Sequence, residues 1–269
     1  MSTTPTADGP GEPSELSEPS GPGTPDGPGA PGEPGQPDGP DELDRLYAYA
    51  AWMLGDRAAA LAVLRGALAD GDASGRLATL RAAVLARAGT PRETPARKRA
   101  LLDTKLRMGT SVSMKMGHPA LRGEARRLQV LLTGFMQSCL IAAVGALQPA
   151  LRELFVLLVV LELPEAEVLA LMGTPTRGLS GPKSRMLSEL DAYLGPRCGH
   201  LHAANPCHCP NRLLLALEQD FVQLPEHELA SERYPSGVFT EVRRMYAALP
   251  PLRLTAPVRA ALGGVKTAG

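Results

Sequence analysis

The chain has 269 residues, with 28 lysines and arginines against 28 aspartates and glutamates, 28 glycines, 26 prolines and four cysteines, which is room for one large or two small domains. Residues 1–40 hold seven carboxylates and no cation, so residues 41–269 keep 21 acidic against 28 basic side chains, a net of +7; that balance suits nucleic acid or an acidic protein surface without selecting between them. No apolar run reaches eighteen residues, and Met1-Ser2-Thr3-Thr4-Pro5-Thr6 lacks the basic and apolar regions of a secretory signal, so no membrane partner is expected and the reading is a cytoplasmic protein with reduced cysteines.

In chain order, residues 1–40 repeat Gly-Pro, Pro-Gly and Pro-Asp steps, with Leu16 the only large aliphatic side chain after Met1. Such a segment has nothing to bury and is expected to be a disordered acidic tail. Residues 41–89 form the first helical unit: Leu43, Leu46, Tyr47, Ala50 and Leu54 recur at helical spacing, Gly55-Asp56 ends the run, and the signal returns over 57–69 and 76–88. Residues 90–120 lose the apolar rhythm and carry Arg92, Arg97, Lys98, Arg99, Lys105 and Arg107, which marks a basic linker.

A second helical unit follows over 121–197, with helices predicted at 121–147, 149–162, 164–172 and 176–194 and a break at Gly173-Thr174-Pro175. The remainder, 198–269, opens on a Cys/His-rich run, continues as a leucine-rich helix at 211–224 and ends in a poorly patterned stretch with prolines at 225, 235, 250, 251 and 257. Nothing alternates as strands do over a useful length. The expected class is therefore all-α: two small helical domains, a linker and a disordered tail.

The run Cys198-Gly199-His200-Leu201-His202-Ala203-Ala204-Asn205-Pro206-Cys207-His208-Cys209 concentrates zinc-type ligands, with Asn205-Pro206 as the turn that folds them together. Cys198, His200, His202, Cys207, His208 and Cys209 are the candidate ligands, and zinc is the metal they would take. Two other readings stand beside it. One is a redox-responsive thiol set, with Arg197 next to Cys198 lowering its pKa; the other is a loop of inert buried thiols, since the spacing is not that of paired Cys-x-x-Cys zinc knuckles. Cys139, Trp52 and the tyrosines read as core, and His118 and His227 as solvated loop histidines.

The segment from Leu147 to Thr176, running through Pro164, Glu167, Val168, Leu171 and Gly173, resembles region four of the extracytoplasmic-function group of bacterial sigma factors, where a hydrophobic helix leads through a short helix into a reading helix. Residues 46–58, Leu-Tyr-Ala-Tyr-Ala-Ala-Trp-Met-Leu-Gly-Asp-Arg-Ala, are similar to the opening of region two of the same group, and the frame from Cys198 to Cys209 resembles a cysteine run found behind the last helix in a subset of them. The resemblance covers roughly residues 43–225. It implies binding of core RNA polymerase through residues 41–89 and of promoter DNA through 164–194, with Arg177, Lys183, Ser184 and Arg185 as the DNA contacts.

The chain departs from that pattern where function concentrates. Leu61, Ala62, Arg65 and Gly66 stand where the family carries an acidic, glutamine-containing face toward the polymerase clamp, and Glu189 and Asp191 face phosphate with the wrong sign. Pro182 would cost about 3 kcal/mol inside a helix and almost nothing in its first turn, so the reading helix is expected to start late, near Gly181. The alternative is thus a degenerate relative that docks another helical protein without reading DNA, and a further one is a metal or redox sensor. No phosphate-binding glycine loop, His-Glu-x-x-His or Gly-x-Ser-x-Gly pattern occurs, and an enzyme is not expected.

Overall fold

The structure, a computed structural model, describes residues 41–70, 75–88, 125–173 and 178–263. The tail read at 1–40 and the linker read at 90–120 lie outside the described residues, as do His118 and Arg177. The chain divides into Met1–Asp38 and the unit Gly39–Gly269, to which everything below belongs.

Among the described residues every regular element is helical: α1 Glu42–Leu54, α2 Arg57–Asp70, α3 Arg76–Ala88, α4 Ala125–Gly145, α5 Pro149–Phe155 continuing as a π-helical turn Val156–Val160, α6 Glu165–Met172, α7 Ser180–Leu194, α8 Cys209–Glu218, α9 Val242–Ala247 and α10 Ala256–Gly263. The all-helical expectation holds for these residues.

The first bundle is punctuated by its sequence. Asp41 caps α1 by accepting from the Asp44 amide at 2.9 Å, and Gly55 ends the helix at φ 66 with its amide on the Ala51 carbonyl. That left-handed turn is one that glycine adopts without a Cβ penalty. Asp56 then caps α2 by accepting from the Ala59 amide at 2.9 Å. α4 is long and apolar enough to cross a membrane by length and composition, yet 78% of its most apolar window is buried inside the protein.

Both leucine-rich segments contribute to one core. Trp52 of α1 lies 5.7 Å from the Tyr246 ring of α9 and 6.5 Å from Phe155 of α5, and Phe155 and Tyr246 meet edge to face at 4.7 Å. Aromatic pairs of this kind add about 0.5–1.5 kcal/mol each beyond the area they bury. Polar groups reinforce the junction. Buried Glu153 of α5 accepts from Tyr49 of α1 at 3.1 Å and pairs with Arg81 of α3. Arg152 donates to the Met53 carbonyl at 3.0 Å and to the Gly145 and Leu147 carbonyls, placing a cation on the C-terminal ends of α1 and α4.

Behind α5 the amide of Leu161 reaches the Val156 carbonyl at 2.9 Å, a five-residue step that widens the helix before Pro164. The predicted helix at 149–162 therefore ends in a π turn. The helix predicted at 211–224 stops at Glu218: Asp220 takes φ 52, and the chain leaves so that Leu224 crosses α4 at Gly134, where a Cβ would stand 2.5 Å from Leu224 Cδ2.

The poorly patterned segment from residue 225 to 263 packs on α1 and α2. The Leu229 amide donates to the Arg253 carbonyl at 2.8 Å and the Thr255 amide to the His227 carbonyl at 3.0 Å. Buried Asp44 accepts from the Leu254 amide at 2.8 Å and pairs with Arg259.

Candidate functional site

Pro164 precedes α6, which carries Glu165 and Glu167 in its first turn, where the helix dipole favours carboxylates. Gly173 ends α6 at φ 61, the left-handed turn that allows the chain to leave the helix toward α7. In α7 Met186, Leu190 and Leu194 are buried at four-residue intervals, so the opposite face is turned outward. Pro182 is the third residue of α7, within the first turn where no intrahelical donor is lost.

Of the predicted DNA contacts, Ser184 and Arg185 are exposed and Lys183 is half-exposed. Both cations are already paired. Lys183 meets Glu165 of α6, and Arg185 meets Glu189 one turn along at 2.8 Å. Exposed pairs of this type are worth about 0–1 kcal/mol, so phosphate can displace them, but each displacement leaves a carboxylate beside the nucleic acid and reduces the gain.

Directly after α7 the Cys/His run folds into a clip. The Cys207 amide donates to the Arg197 carbonyl at 3.1 Å and the Gly199 amide to the Cys207 carbonyl at 2.9 Å, which sets Cys198 and Cys207 opposite one another in a parallel bridge. Asn205 holds the turn by donating its side-chain amide to the Gly195 and Cys198 carbonyls. Gly199 is required here: a Cβ would lie 2.6 Å from His208 Nδ1, because the His208 ring packs on its backbone.

The six predicted metal ligands differ in their surroundings. Cys198 and Cys209 are buried, Cys207 is half-exposed and His202 is exposed. His200 is buried with both ring nitrogens bonded: Nδ1 donates to the Gly237 carbonyl at 2.8 Å, which leaves Nε2 to accept from the Tyr234 hydroxyl at 2.9 Å. Among the described residues no three His, Cys, Asp or Glu side chains are arranged to hold a metal ion. Arg197, expected to act on Cys198, donates to the Tyr193 carbonyl at 2.7 Å and stacks on the Tyr193 ring.

Two participants were hidden in the sequence. Burial pushes the Cys209 thiol well above its ordinary pKa, and the thiols of Cys139, Cys207 and Cys198 add to the rise, while a hydrogen bond with Tyr234 opposes it. Cys139, read as core, is indeed buried in α4, yet it stands within electrostatic range of the clip. Tyr234 is raised above the usual phenol range by burial first and by Cys209 second. No local spacing connects either residue to the run at 198–209.

His227 corrects a further expectation: it is half-buried, with Nε2 at 2.8 Å from the Tyr47 hydroxyl. Its pKa is lowered, chiefly by desolvation and then by Arg57 and Arg65. The same hydroxyl bonds Glu228, which pairs with buried Arg57 at 2.8 Å. A cleft of about 240 Å³ opens between α1, the π turn and residues 246–252, with Trp52 and Tyr246 in its wall and Arg45 and Glu162 among its polar groups.

No protein-family model, no curated protein and no solved structure matches the chain, so the functional reading rests on these residues and their geometry.

Proposed function

We propose that this protein acts in transcription initiation as a sigma-like subunit, binding core RNA polymerase through α1–α3 and promoter DNA through α7. The observation that supports this most is the order of parts from α5 to α7: an apolar helix, Pro164, a short helix closed by left-handed Gly173, then a helix with Ser184 and Arg185 directed outward. That is the arrangement the resemblance to region four of sigma factors implies, and a helix presenting such groups fits a major groove flanked by phosphates. No enzymatic role is part of the reading. The test is co-purification of the full chain with core polymerase from its native host, together with DNA binding measured over a salt series. Recovery of no core subunit and no salt-sensitive DNA binding would refute it.

A second reading, an interaction or assembly protein that docks another helical protein without reading DNA, is favoured by one specific feature: Lys183 and Arg185 are neutralised by Glu165 and Glu189. On α2 the expected clamp-facing positions add to it, since Ala62, Arg65 and Gly66 are exposed without a carboxylate among them and Leu61 is buried. The same co-purification separates the two, because this reading expects a stable protein partner in place of polymerase.

A further inference from the structure

The clip's three thiols, with Cys139 of α4 near them, carry chemistry that the transcriptional reading does not use. Its geometry distinguishes among them. Cys139, Cys198 and Cys209 are buried, and only Cys207 is half-exposed, so a reagent from solvent reaches Cys207 first. Cys209 is occupied by its hydrogen bond with Tyr234, and its burial keeps the proton on sulfur. Cys198 follows directly from the end of α7, its amide bonded to the Leu194 carbonyl at 2.8 Å, and its Sγ lies 4.0 Å from Met245 Sδ.

The parallel bridge places Cys198 and Cys207 in register. Registered residues on paired backbones direct their side chains to the same face, at a backbone separation of about 4.8 Å. A disulfide spans Cα separations of about 4.4–6.8 Å. A bridge of this kind spaces its two backbones within the range that a disulfide spans, and the Arg197–Cys207 and Cys207–Gly199 hydrogen bonds and Asn205 across the turn hold it.

We propose that Cys198 and Cys207 are a peroxide-oxidisable pair that closes to a disulfide across this bridge, an oxidative modification site at the junction of α7 and α8. The Cys207 thiolate attacks the terminal oxygen of a hydroperoxide; the O–O bond breaks, the alcohol or water leaves, and Cys207 becomes a sulfenic acid. Cys198 then gives its proton to solvent and attacks that sulfur; the S–O bond breaks and hydroxide leaves as water. The two thiols supply the two electrons that reduce the peroxide, and a thiol reductant reverses the bond. The bond ties the end of α7 to the segment that starts α8. The inference stands on the clip alone and holds whether or not α7 reads DNA.

The test uses the full chain, reduced, freed of reductant and exposed to hydrogen peroxide. Free thiols are alkylated under denaturing conditions, the remainder is reduced and alkylated with a second reagent, and the labels are placed by fragmentation of the Cys198–Arg212 peptide, which trypsin releases whole. The expected result is that two of the four thiols are protected, on Cys198 and Cys207, in monomeric protein. Cys139→Ser should give the same two, whereas Cys207→Ser should leave every remaining thiol free. Protection of Cys209 in place of Cys198, linkage only between molecules, over-oxidation of Cys207 with no linkage, or four free thiols would each overturn the proposal.

Discussion

Arg57 and Glu228 form a charge pair whose side chains are 3% and 7% exposed, joining the start of α2 to the C-terminal wrap. Arg57 also donates to the Gln223 carbonyl at 3.0 Å and to Gln137 Oε1 at 3.2 Å. Arg57→Ala would leave the Glu228 carboxylate buried beside the Tyr47 hydroxyl without its cation. Breaking one side of a buried pair costs about 3–5 kcal/mol, because the remaining charge keeps its desolvation penalty. For a body of this size that is a fall of about 6–20 °C in the unfolding midpoint.

The penalty should depend on pH. Glu228 already has its pKa raised by burial, with Arg57 and then the Tyr47 hydrogen bond pulling it down, so removal of Arg57 raises it further. A carboxyl whose folded pKa exceeds its unfolded value costs stability as pH rises through that folded pKa. Arg57→Ala should therefore be more damaging at pH 8 than at pH 5. Urea unfolding followed by the fluorescence of Trp52, the single tryptophan, measures both. A loss under about 1 kcal/mol, or a penalty independent of pH, would refute the buried-pair argument. Arg57→Met combined with Glu228→Gln should recover most of the loss, since no unpaired charge remains.

His227 contributes with the opposite sign: its lowered folded pKa stabilises the protein above pH 6.5 and the contribution is lost as pH falls through the folded value, so His227→Gln should flatten the stability profile below pH 6.5, and an unchanged profile counts against it. Gly199→Ala should destabilise by about 1–3 kcal/mol through overpacking, and His208→Ala in the same chain should relieve most of that; thermal unfolding of the single and double variants decides. Glu165→Gln with Glu189→Gln releases Lys183 and Arg185 for phosphate, so the slope of log affinity against log salt on duplex DNA should steepen by about 1.8. An unchanged slope would mean that α7 does not meet the backbone.

Much of the local structure was legible in the residues. Gly55-Asp56 announced the end of α1 and Gly173 the end of α6, because left-handed turns depend on neighbours within one turn of chain. The tight clip around Asn205-Pro206 was legible for the same reason.

Where the pattern misled, a distant contact decided. Leu224 continues the apolar rhythm of α8, yet Gly134 on α4 offers it a place only if the helix ends first, so α8 stops at Glu218. Tyr234 and Gly237, far from the run in sequence, supply the partners of both His200 nitrogens. Residues 41–89 show an amphipathic face without saying what covers it; the structure covers it with Phe155, Tyr246 and the wrap around Arg57 and Asp44. Periodicity and capping are set by side chains a few positions apart and so are written in the order of residues. Which cation meets which carboxylate, and which thiol lies beside which, depends on segments far apart in the chain, and only their packing brought them together.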